Sequence, residues 1–213
     1  MGKRDTKQII LDEALELFSV NGYEGVSVAD IASAVNIKAS SLYKHFKNKR
    51  DIFDKILEKA AGGYDNPYEI FGIADPDTEN GFELYINGSF DIITRIATSV
   101  FRYFVHNGAA RKLRRMLSIE QYGDPAAAKL LAGQYVDAPL LYLGSVFQSL
   151  MERGVMAAAD ADITAAHFYA PIYLMICLCD NSPDREGEAL GFVIQHAVQF
   201  RRAFMRTGPA AAG

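Results

Sequence analysis

SVADIASAVNIKASSLYKHFKNKR, residues 27–50, decides how this chain folds. Ser27 with Asp30 three positions on is an S-x-x-D capping signature, and it opens a helix whose Val28, Ile31, Ala32 and Val35 share an inward face. Asn36 stands at a turn, because asparagine tolerates a left-handed backbone better than most residues. The spacing then predicts a second helix over 39–46. Leu42 and Phe46, four apart, are its buried pair, with Ile37 entering just ahead of them. Lys38, Ala39, Ser40, Ser41 and Lys44 are left pointing outward, flanked by Tyr43 and His45. A surface that is small, hydroxylated and basic can approach base edges and phosphates closely. Two short helices, a tight turn and a knot of positive charge together make the pattern of a helix-turn-helix.

The flanks agree with this reading. Ile10, Ala14, Leu17 and Phe18 recur at helical spacing and predict a first helix over 5–20, with Asn21-Gly22 as its left-handed stop. Asn48 caps a fourth helix, with Asp51 at its third position and Ile52, Phe53, Ile56 and Leu57 as its buried face. Charge is distributed to match. The chain carries a net −4, yet residues 1–50 hold eight Lys/Arg against six Asp/Glu, +2, which leaves −6 for the rest. Residues 36–50 contain five basic side chains and no acid, at the place where attraction for phosphate would be wanted.

FSVNGYEGVSVADIASAVNIKASSLYKHFKNKRDIF, residues 18–53, resembles the DNA-binding domain of the tetracycline-repressor (TetR) family of bacterial regulators. Phe18, Gly22, Ser27, Ile31, Ala32, Ile37, Leu42, Tyr43, Phe46 and Lys49 carry the likeness, which covers about residues 7–57. Two positions depart from the family pattern: Asn36 replaces the usual Gly, and Lys38 replaces a Ser-like helix cap. The resemblance implies a role for each position. Ser27 and Val28, at a helix start, would offer backbone N–H groups to a phosphate. Lys38, Ala39, Ser40, Ser41, Tyr43 and Lys44 would lie in the major groove. Tyr43 and His45 would touch phosphates or a thymine methyl, and Lys49 would hold a further phosphate.

Beyond this segment the pattern is all-helical, which predicts an all-α chain with two parts, a DNA-binding domain over 1–50 and a helical body over 51–213. Residues 64–80 read as a loop, with Pro67, Gly72 and Pro76. Further helices are expected over 82–105, 139–153, 162–179 and 184–205. A basic helix around Arg111, Lys112, Arg114 and Arg115 is expected to present a solvated face. HFYAPIYLMICLC, residues 167–179, is apolar almost all round, so one side of it should face something beyond its own bundle. The resemblance implies that this body binds a small effector and forms a homodimer through the last two helices. Phe90, Arg95, Phe101, Tyr103, Phe104, Met116, Tyr142, Phe147, Met151, His167 and Tyr173 are the candidates to line an effector cavity. Arg95 equally pairs with Asp91 at helical spacing, and Pro171 frees the carbonyl of His167 next to its own imidazole.

Composition limits the alternatives. A chain of 213 residues, half of them hydrophobic, has core enough for independent stability. The opening residues lack an apolar signal region, and the longest uncharged run, 163–179, is short for a membrane span, so a cytoplasmic location without membrane contact is expected. Cys177 and Cys179 are two apart and face opposite sides of a helix. No G-x-S-x-G, H-E-x-x-H, Gly-rich phosphate loop or metal-spaced Cys/His set is present, which argues against catalysis and predicts no cofactor or metal. The expected protein is a regulator that binds duplex DNA at a near-palindromic operator and is released by a small apolar or aromatic effector. Its rivals are a partner-controlled activator or architectural DNA-binding protein without a ligand, and a helical ligand-binding or enzymatic bundle that no longer engages DNA.

Overall fold

A computed structural model describes residues 5–62 and 92–206. The described residues form ten α-helices and no strand ladder; Met156 and Met205 make an isolated antiparallel bridge. Contacts divide the chain into two compact units, residues 1–63 with 108–135, and residues 64–107 with 136–213.

The first unit begins with α1, Thr6–Asn21, capped by Asp5, whose carboxylate accepts the Lys7 N–H at 3.1 Å. Ile10, Ala14 and Phe18 are fully buried, and Gly22 ends the helix at φ 69°, a region open to glycine at little cost. α2, Val28–Ala34, has both halves of the capping box: the Asp30 N–H donates to Ser27 Oγ at 3.2 Å, and the Ser27 N–H donates to Asp30 Oδ2 at 2.8 Å. Ile31 and Ala32 are buried as expected, whereas Val28 and Val35 are only half-buried. Asn36 takes φ 57° at the turn.

α3 spans Ala39–Leu42, four residues rather than the eight expected from the spacing. The shortening is at its C-terminal end: the Lys44 and His45 N–H groups reach back only three residues, to the Ser41 and Leu42 carbonyls at 3.2 and 2.9 Å, which tightens the chain into turns. Leu42 and Phe46 are nonetheless buried together. α4, Lys49–Ala61, is capped by Asn48, which accepts the Asp51 N–H at 2.9 Å, and it buries Ile52, Phe53, Ile56 and Leu57.

Later elements complete this unit, and a boundary after residue 50 leaves them out. α5, Ile92–His106, belongs to the second unit, while α6, Gly108–Glu120, packs on α1 and α7, Pro125–Ala132, packs on α4. Asp124 joins them. Its carboxylate accepts the N–H groups of Ala126 and Ala127 at 2.8 and 3.0 Å, and the Arg50 guanidinium at 2.6 Å. The Tyr23 N–H donates to Glu120 at 2.7 Å, and Lys112 pairs with Glu16. Arg114, expected on a solvated face, is buried, with its guanidinium 5.6 Å from the centre of the Tyr135 ring. The physical reason is periodic: Ala110, Arg114 and Leu117 share the helix face that turns inward.

Asp124 also makes the unit pH-sensitive. Burial raises its pKa, but the Ala127 N–H, Arg50 and the Ala126 N–H outweigh this and hold the carboxyl below the usual aspartate value. A depressed native pKa stabilises above the unfolded value of about 3.9 and is lost as pH falls through the native one. Asp124→Asn is therefore expected to cost about 1–2 kcal/mol at pH 7, with the gap from wild type closing below pH ~4. Urea unfolding of both proteins at pH 7 and 3 checks this. A gap that persists unchanged at pH 3 would contradict it.

The second unit holds α5, α8 (Ala138–Glu152), α9 (Ala161–Asn181) and α10 (Glu186–Phe204), the last preceded by a 3-10 turn at Pro183–Arg185. A π turn at Gly133–Asp137 leads into α8. α9 packs on α5, α8 and α10. Phe147, Phe168 and Phe200 form the centre, with ring centroids 4.9–5.5 Å apart. α9 is long and apolar enough to cross a membrane by length and composition, yet it seats Phe168, Ile172 and Ile176 in this core. Pro171 lies within it. The helix expected over 82–105 is described from Ile92 onward, and the loop reading of 64–80 falls outside the described residues.

Candidate nucleic-acid interface

Leu42, fully buried, anchors α3 and so fixes which neighbours face outward. Lys38, Ser40, Tyr43 and Lys44 are exposed, Tyr43 at 56%; Ala39, Ser41 and His45 are half-buried beside them. The candidates on α3 and its flanks thus all keep some exposure to solvent. Across the turn, Ser27 is exposed at the start of α2 and Val28 is half-buried. With no acidic side chain between residues 36 and 50, the surface around α3 suits a polyanion.

Lys49 has an internal partner that the sequence reading missed. Its ammonium donates to the Tyr23 carbonyl at 2.7 Å and sits 4.0 Å from the centre of the Tyr23 ring. Three N–H donors leave two for an outside acceptor, so Lys49 is a pre-positioned cation rather than a free arm. Tyr23 also packs on Phe18 and Phe53 at 5.7 and 5.1 Å. An aromatic two residues before Gly25, next to a buried core, was the available signal.

The outer side of α2 was missed as well. Ala29 and Ser33, four apart and opposite Ile31, border a cleft of about 450 Å3 with Ala32, Asn36, Ile37, Lys38 and Ala39. Helical period alone would have placed both outward.

The described effector candidates fall in both units. Phe90 lies outside the described residues. Phe101, Phe104 and Phe147 are fully buried, and Tyr103, Tyr142, Met151 and Tyr173 are half-buried. Tyr103 meets Phe104 edge-on at 5.2 Å, and Tyr173 stacks on Tyr169 at 5.8 Å. Arg95 and His167 are exposed, and Met116 belongs to the first unit. Apolar periodicity marks inward residues but not which core receives them.

The description "Bacterial regulatory proteins, tetR family" matches residues 10–56. The negative regulator IcaR of the icaADBC biofilm operon of Staphylococcus epidermidis is 39% identical over 75 residues, 32% of this chain and 40% of that protein. The match therefore spans less than half of that relative's length. Among solved structures, a Mesorhizobium loti protein assigned to the same family superposes with a TM-score of 0.67 at 19% identity, over 94% of this chain and 96% of that one. SmeT, the repressor of the Stenotrophomonas maltophilia multidrug efflux pump SmeDEF, does so in its triclosan complex with a TM-score of 0.64 at 16% identity, over 98% of this chain and 95% of SmeT. Fold and local geometry define an all-α helix-turn-helix protein. Within it, residues 10–56 carry the likeness to the tetR family of bacterial regulatory proteins.

Proposed function

We propose that this chain is a transcriptional repressor that binds duplex DNA through Ser27, Val28, Lys38–Ser41, Tyr43–His45 and Lys49, and that it is released by a small apolar or aromatic effector. One observation carries the proposal: a small, hydroxylated, basic surface stands outward because Leu42 and Phe46 are buried beneath it. The naming of IcaR as a negative regulator and of SmeT as a repressor supports the sign of regulation. The triclosan complex of SmeT supports an effector of that chemistry. In this reading the protein acts in the cytoplasm as a homodimer through α9 and α10. Ile163, Leu174 and Phe192 on those helices are 57%, 61% and 48% exposed, more apolar surface than a lone unit favours. Two copies would place recognition elements about 34–36 Å apart, matching successive major grooves of a near-palindrome.

Selection of bound duplexes from a random pool at two salt concentrations tests this. Enrichment of a near-palindrome, with binding that weakens as salt rises, is expected. Tyr43→Ala and Lys44→Ala should each weaken that binding roughly tenfold while leaving thermal unfolding unchanged, because both side chains are exposed. If no sequence is enriched at either salt, the DNA-binding reading fails.

A further inference from the structure

The cleft between α2 and α3 has a composition that selects among base pairs. Its walls are the methyl groups of Ala29, Ala32 and Ala39 and the Ile37 side chain, with Ser33, Asn36 and Lys38 as its polar members. It opens between Ala29 and Ser33 on the outer side of α2 and Lys38 and Ala39 at the start of α3, beside exposed Ser40. No arginine, glutamine or glutamate lines it; Asn36 and Lys38 are its members able to read adenine or guanine, and the rest of its lining is short or apolar. What it offers is an apolar notch with a cation at the rim. In the major groove only one base edge presents an apolar group, the C5-methyl of thymine.

We propose that the notch formed by Ala29 and Ala39 receives a thymine methyl, with Lys38 on the neighbouring phosphate or guanine, and that it makes a T·A pair a fixed letter of each half-site. The surrounding charge favours this occupant, since residues 36–50 contain no acid and Lys38, Lys44 and Lys47 are exposed. Ala29 contributes here because alanine leaves space: a longer side chain at that position would fill the notch itself. This inference rests on the DNA-binding reading above and specifies what that surface selects.

The test uses the full-length protein and a duplex enriched in the selection, with each thymine replaced in turn by uracil, which removes only the methyl group. Replacement at one position per half-site should weaken binding about fourfold, the factor expected for one buried methyl-sized group. In Ala29→Ser, which puts a hydroxyl into the notch, the thymine-to-uracil ratio at that same position should fall toward one. Uracil replacement changes only the DNA, so its result does not depend on how the variant folds. If a sequence is enriched but no uracil replacement weakens binding, the notch assignment is overturned and the DNA-binding reading stands. A ratio left unchanged by Ala29→Ser overturns the notch assignment in the same way. If no sequence is enriched at all, the underlying DNA-binding reading is what has failed.

Discussion

Leu42→Ala is expected to abolish sequence-specific DNA binding and to lower the unfolding free energy of the first unit by about 2–5 kcal/mol. Leu42 is fully buried, and it is the only fully inward side chain of a four-residue helix. A helix that short has almost no stability of its own, so its geometry is fixed by what it packs against. Removing the isobutyl group leaves a cavity beneath the surface that carries Ser40, Tyr43 and Lys44, and the turn that follows loses its seat. Urea unfolding gives the stability, and binding to a selected duplex gives the function. Tyr43→Ala is the contrast: it should lose binding with little change in unfolding. If Leu42→Ala unfolded like wild type and still bound the same sequence, α3 would not be the element that Leu42 positions.

Phe168→Ala is expected to cost the second unit about 3–5 kcal/mol. The ring is fully buried, 4.9 Å from Phe200 and 5.5 Å from Phe147, so truncation opens the centre where α8, α9 and α10 meet. The Phe168 carbonyl also lies 2.9 Å from Nε2 of His196, whose burial holds the imidazole below its usual pKa and so neutral near pH 7. Because the proposed homodimer uses α9 and α10, the same substitution should shift the protein toward monomer and cost operator affinity without touching the reading surface. Calorimetric unfolding and sedimentation at matched concentrations test this. An unchanged association state beside a lowered Tm would place the dimer contact elsewhere.

Much of the first unit was legible in the sequence because its determinants are local. A capping box needs only Ser27 and Asp30 three apart, a left-handed turn needs an Asn or Gly at the right place, and a buried pair needs Leu42 and Phe46 at helical spacing. The outward set on α3 followed by subtraction. The length of α3 did not follow, because helical pattern fixes which residues turn inward but not whether each hydrogen bond spans three residues or four. The effector candidates divide between the two units. Aromatic and apolar residues mark a core wherever it lies, so Met116 shares a pattern with residues of a different compact unit.

By itself, then, the sequence determined the all-helical class, the helix-turn-helix and the basic, small-residue character of its outer surface. All of these depend on residues within one or two turns of each other. Tertiary structure alone decided that α6 and α7 belong with the helix-turn-helix, that Arg114 is buried against Tyr135, and that Arg50 meets Asp124. It also decided that the Lys49 ammonium is held by the Tyr23 carbonyl, 26 residues away in the chain. Each joins partners whose separation along the chain carries no periodic signal, so only the folded packing brings them into contact.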